Sequence, residues 1–147
     1  MNVFSTSPAP TDAAQPRVLI VEPDRNYMGV LARRIGEAGY RIATASCAQA
    51  ALAEMHRMAP HVLLAELTMK GTSGVELVRM IRADPVHHDL PLIMMGGRSE
   101  ALAAVRVLHE GADDVVRKPF HFEVLIARIA RQIARARAVR ELRDSNA

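Results

Sequence analysis

Four side chains in this sequence have the chemistry of a reactive or binding site: Glu22, Asp24, Glu66 and Lys118. Each lies just beyond a short apolar run: RVLIV at 17–21, VLLA at 62–65 and DVVR at 114–117. Carboxylates beside an ammonium group can hold a divalent cation, receive a phosphoryl group, or neutralise one another as a fixed ionic cluster. Taken singly, each is most simply a satisfied surface or strand-end charge. Acting together, they require a fold that gathers positions far apart in the chain.

The elements that could do this are legible. The runs at 17–21, 41–45, 62–65, 92–95 and 114–117 have the length and branching of buried strands. Helical periodicity follows each one. Asp24 caps a helix to about residue 38, with Tyr27, Val30, Leu31 and Ile35 inward and Gly39 as its stop. Ser46 is expected to cap a helix to about residue 58 that buries Ala51, Leu52 and Met55 and ends before Pro60. A third helix, 75–82, turns Leu77, Val78 and Ile81 inward, and the loop before it closes with Gly71-Thr72-Ser73-Gly74. Ser99 is expected to cap a fourth helix, apolar at Leu102, Val105, Val107 and Leu108, that stops at Gly111. A last helix runs from 122 to about 142, with Ile126, Ile129 and Ile133 on its apolar side.

Strict alternation of strand and helix predicts an α/β fold: a parallel sheet with right-handed crossovers and helices on both faces. In such a sheet the carboxyl ends of the strands share one edge, where ligands bind. That edge would collect Glu22, Asp24, Glu66, Gly96 and Lys118 in one pocket.

Composition narrows the setting. A chain of 147 residues, half of them apolar, suits one domain over 17–140, with a proline-bearing lead-in at 1–16 and a short tail at 141–147. Cys47 is the sole cysteine, so no internal disulfide forms, which fits a reducing compartment. With neither a membrane-length apolar run nor a secretory leader in the sequence, a cytoplasmic protein is expected. The net charge of +3 resides in 121–147, where six arginines face Glu123, Glu141 and Asp144. Arg128, Arg131 and Arg135 share a helix face that could meet an anionic ligand, although a solvated arginine face is the simpler reading. Nucleic acid is a poor match, because no recognition motif and no stacking aromatics accompany the arginines. Leu125, Ile129, Ala136, Val139 and Leu142 could form part of a homodimer seam. His87-His88-Asp89 invites a metal reading, but neighbours in one loop rarely converge on an ion and no third ligand is evident.

With VLIVEPD at the first strand, LLAELTMKGTSGVELVRMIR around the third and EGADDVVRKPF at the fifth, the sequence from Arg17 to about Arg140 resembles a response-regulator receiver domain of the CheY-like family. The resemblance implies a flavodoxin-like (βα)5 sheet in order 2-1-3-4-5, a phosphorylated aspartate, and a magnesium ion held by acids. It also implies a Thr or Ser that contacts the phosphoryl group, a lysine that pairs with it, and a Lys-Pro peptide that is commonly cis, here Lys118-Pro119.

Several residues depart from that pattern. The phosphoacceptor position holds Glu66, the paired acids of the first strand are Glu22 and Pro23 with Asp24 just after, the Thr/Ser position is Gly96, and the aromatic switch position is Val115. Only Lys118 is intact. Magnesium at Glu22, Asp24 and Glu66 is therefore expected to be weak or absent, with no other cofactor. Glu66 carries a charge of −1 where a phosphorylated side chain carries about −1.5 to −2. The sequence thus predicts a stand-alone receiver without enzymatic activity, insensitive to phosphate, that binds a protein partner through its fourth helix, fifth strand and last helix. The alternatives are phosphorylation through an unusual geometry, or an anionic ligand, such as a nucleotide second messenger, on the last helix.

Overall fold

The computed structural model describes residues 15–146. Five strands, β1 (Arg17–Val21), β2 (Arg41–Ala45), β3 (Val62–Glu66), β4 (Leu92–Gly96) and β5 (Asp114–Arg117), alternate with five helices. The helices are α1 (Arg25–Glu37), α2 (Ala48–Met58), α3 (Gly74–Arg82), α4 (Ala101–His109) and α5 (Phe122–Ser145). The strands form one parallel sheet in the order β2-β1-β3-β4-β5. The lead-in expected at 1–16 falls almost entirely outside the described residues.

Period-two alternation divides the core between the two faces of the sheet. Leu19, Val21, Leu63, Ala65, Leu92 and Met94 pack against α2, α3 and α4. Val18, Ile20, Val62, Leu64, Ile93 and Met95 pack against α1 and α5. Because β3 is buried along its whole length, Glu66 is delivered to the carboxyl edge at the end of a fully apolar run.

Several local expectations are corrected. Of the α1 residues expected inward, Leu31 and Ile35 are buried but Val30 is exposed. Cys47, not Ser46, is the N-cap of α2, and it makes no side-chain capping bond. Ser99 lies inside a 3-10 turn (Arg98–Glu100), and α4 begins after it. That helix buries Ala104 and Val107 but leaves Leu102, Val105 and Leu108 82 %, 52 % and 47 % exposed. The last helix continues to Ser145. Leu125 and Ile129, expected in a dimer seam, are buried against the sheet, so only Val139 and Leu142 of that stripe stay strongly exposed.

The loop after β3 is pinned at both ends. Ser73 and Glu76 form a reciprocal capping box at the start of α3. The Gly74 N–H donates to the Leu67 carbonyl at 3.0 Å. A Cβ at Gly74 would meet the Leu67 and Glu66 carbonyl oxygens at 2.8 and 2.9 Å. Backbone atoms cannot yield as a side-chain tip can, so Gly74→Ala is expected to destabilise the fold by about 1–3 kcal/mol. The denaturant midpoint of the variant against wild type measures this.

Candidate functional site

The sheet brings Glu22, Asp24, Glu66 and Lys118 to one cleft of about 740 Å³, shared with Tyr27, Thr68 and Phe120. Lys118 is delivered by β5, and its peptide to Pro119 is cis. The Lys118 Nζ donates to Glu66 Oε2 at 2.5 Å and lies 3.7 Å from Glu22 Oε1. It also sits 4.6 Å from the centroid of the Tyr27 ring, whose π-face favours a cation. Glu22 and Glu66 are both buried, so one partly exposed ammonium serves two carboxylates that are largely withdrawn from solvent.

Burial dominates the titration of Glu66. Loss of solvent lifts its pKa from 4.5 to about 7, against the downward pull of the Lys118 hydrogen bond and charge; Glu22 and Glu100 add repulsion. Lys118 moves up as well: burial pulls it down, but the bond to Glu66 and the charges of Glu66 and Glu22 outweigh that. The lysine therefore stays cationic, while Glu66 exchanges its proton near neutrality.

Asp24 is turned elsewhere. Its Oδ1 accepts from the Asn26 and Tyr27 N–H groups and caps α1, while its own N–H donates to Glu22 Oε2. Pro23 lines the cleft without offering a side-chain oxygen. Magnesium requires near-octahedral oxygen coordination. The Lys118 ammonium already stands between the two acids that would contribute most, and Asp24 is committed to its helix cap, so this donor set does not fit the ion.

Gly96 ends β4 beside the cleft. A Cβ there would lie 2.4 Å from Leu67 Cδ1, so the leucine fills the volume a larger residue at 96 would need. Thr68, next in the loop, donates its hydroxyl to Glu100 Oε2, and the Gly97 N–H bonds the other oxygen of that carboxylate at 2.8 Å. Glu100 and Leu67 were not singled out from the sequence. Only the folded loop puts them against Gly96, and no spacing rule signals it. Val115 is half-buried on β5 and packs against the core.

The three arginines grouped by helical spacing separate. Arg128 is bound to Asp114 Oδ1 at 2.9 Å and to the Val115 carbonyl, whereas Arg131 is exposed. Arg135 lines a second cavity, of about 400 Å³, at the amino edge of the sheet with Arg17, His61, Gln132 and Arg140.

The profile of the response regulator receiver domain matches residues 18–130. The chain belongs to that family. Among curated relatives, the phosphate regulon transcriptional regulatory protein PhoB of Rhizobium meliloti is 36 % identical over 83 % of this chain and 54 % of its own length. The nitrogen assimilation regulatory protein NtrX of Azorhizobium caulinodans is 30 % identical over 86 % of this chain and 28 % of its own. The chain thus spans about half, or less, of the length of the curated relatives it matches. Among solved structures, a response regulator from Chloroflexus aurantiacus superposes with a TM-score of 0.78 at 26 % identity, covering 82 % of this chain and 98 % of that one. NtrX from Brucella abortus superposes with a TM-score of 0.81 at 26 % identity, over 88 % of this chain and 29 % of that one. The receiver therefore has the CheY-like architecture, a signalling module of two-component regulators.

The raised pKa of Glu66 has a defined consequence. The folded state holds this proton more tightly than the unfolded chain, so its stabilisation is complete below about pH 4.5 and disappears as pH rises through about 7. Glu66→Gln removes the titration. The stability of the variant relative to wild type should therefore rise by up to about 1.4 kcal/mol per pH unit across this window. Urea unfolding of both proteins at several pH values measures it; parallel curves would contradict the shift.

Proposed function

We propose that this receiver works as a phosphorylation-independent interaction module, held in one state by the Glu66–Lys118 pair. The observation that carries the reading is that contact: the lysine expected to meet a phosphoryl group already has a buried carboxyl partner within the protein, at 2.5 Å. When ionised, Glu66 supplies one negative charge where phosphorylation would supply about −1.5 to −2, so it imitates that state only in part. In-line attack by Glu66 is disfavoured as well. Its carboxylate is one methylene further from the backbone than an aspartate's, and misplacement by about 1 Å costs roughly a hundredfold. Pro23 and Gly96 remove the groups that would support the metal and read the phosphoryl oxygens, and Leu67 occupies the space beside Gly96.

Output would pass through the face of α4, β5 and α5, where Leu102, Val105 and Leu108 form an exposed apolar ridge. A protein partner there fits such a ridge better than solvent does. Incubating the protein with magnesium and beryllofluoride, a phosphoryl mimic, should leave the amide resonances around Glu66, Gly96 and Lys118 unmoved. Saturable shifts at those residues, or a stable phosphoryl adduct after treatment with a small phosphodonor, would overturn the reading in favour of an unusual phosphorylation geometry.

A second reading is favoured by the amino-edge cavity. Burial first, and then the charges of Arg17, Arg137 and Arg140, hold the His61 pKa below its usual value. His61 Nδ1 accepts from the Arg17 N–H at 2.9 Å, which leaves Nε2 to carry the proton of the neutral ring. An anionic small molecule such as a nucleotide would suit this cavity. Calorimetric titration with a nucleotide panel should show binding that weakens at least tenfold in Arg135→Ala; unchanged affinity would remove the cavity from consideration.

A further inference from the structure

A cluster of metal-binding groups lies at the opposite edge of the sheet from the Lys118 cleft. His56, in the last turn of α2, and Asp84 and His87, in the connection between α3 and β4, present ligand atoms that all lie within 4.8 Å of one another. The His56 Nε2 is 3.0 Å from Asp84 Oδ2, and the His87 Nδ1 is 3.7 Å from the same oxygen. In a tetrahedral zinc site with bonds of about 2.0–2.1 Å, neighbouring ligand atoms stand about 3.3 Å apart. The two distances bracket that value.

The carboxylate is held in place from behind. Asp84 Oδ1 accepts from the Val86 N–H at 2.8 Å and the His87 N–H at 3.3 Å, which leaves Oδ2 facing the two imidazoles. Such outer hydrogen bonds orient a ligand and are part of metal-site construction. The same backbone bonds hold the Asp84 carboxyl below the usual carboxylate range, so it is anionic at neutral pH.

His87 Nδ1 provides an independent sign of a missing partner. It is the one fully buried side-chain polar atom without a hydrogen-bond partner among the described residues. A hydrogen bond cannot span 3.7 Å, and a buried unpaired polar atom costs about 1–3 kcal/mol. An ion between His87, Asp84 and His56 would satisfy it. The simpler alternative, a His56–Asp84 hydrogen bond alone, leaves this atom orphaned.

We propose that His56, Asp84 and His87 form a binding site for a divalent ion of the zinc class. Two imidazoles and one carboxylate suit zinc and its borderline neighbours, whereas magnesium and calcium take oxygen ligands. The His56 side chain is 54 % exposed, so a fourth position opens to solvent and can hold water or a side chain of another molecule. The ion would clip the end of α2 to the α3–β4 connection. Neither His88 nor Asp89 belongs to the set; Asp89 is paired with Arg143 on α5.

The test is a zinc titration of the chelator-stripped protein, read by competition with a chromophoric chelator and by thermal unfolding. One equivalent is expected to bind and raise the unfolding temperature. His56→Ala, an exposed change that leaves the core intact, should weaken binding at least tenfold and abolish the thermal shift, as should His87→Ala. Asp84→Asn should weaken binding while retaining the backbone caps, and His88→Ala should bind as wild type does. Equal zinc affinity in wild type and His56→Ala, or no saturable binding by wild type, would overturn the proposal.

Discussion

One ammonium shared by two buried carboxylates is the constraint around which the carboxyl edge of this receiver is arranged. Removing ions from water is costly, and a pair survives burial only when its geometry is close and its remaining lone pairs are satisfied. Lys118 meets Glu66 directly and approaches Glu22, Glu22 takes the Asp24 N–H, and the Tyr27 ring covers the ammonium. The cluster holds one more negative charge than positive, so burial is incompletely compensated. Burial, with the repulsion of Glu22 added to it, makes Glu66 resist ionisation, while the bond and charges of the two acids make Lys118 resist deprotonation. The polypeptide around it is correspondingly fixed: Gly74 lies against the strand-end carbonyls, and Ser73 and Glu76 fasten the start of α3.

The architecture was readable because parallel-sheet physics writes itself plainly into sequence. Five apolar runs separated by amphipathic segments predict a parallel α/β sheet, and the order 2-1-3-4-5 that the family resemblance implies is the observed one. The position of Glu66, Glu22 and Lys118 at one edge followed from topology alone. Helix boundaries were less legible. Ser46 and Ser99 are good capping residues by type, yet backbone geometry places the caps at Cys47 and, after a 3-10 turn, at Glu100. Val30 and Leu102 match an apolar period but fall outside the faces that touch the sheet. Periodicity locates a stripe to within about one residue in angle, and burial is decided at its margins.

Contacts between distant loops left no trace in the sequence. Leu67 filling the space at Gly96, and His56 meeting Asp84 and His87, depend on how connections settle once the sheet has formed. The histidine pair adjacent in sequence was the misleading one. His87 turns inward towards α2, and the ligand that joins it lies in a different element.

The guanidinium of Arg128 carries a consequence for self-association. The sheet ends in β2 and β5, and unpaired outer strands are templates for edge-to-edge addition of a second sheet. Here both are short and carry exposed charge, Arg41 on β2 and Arg117 on β5. Arg128 also occupies the Val115 carbonyl and neutralises Asp114, so β5 has one acceptor fewer for an incoming strand. An arginine whose helical spacing suggested a solvated face thus lies against the outer strand, where it leaves that edge less open to backbone pairing.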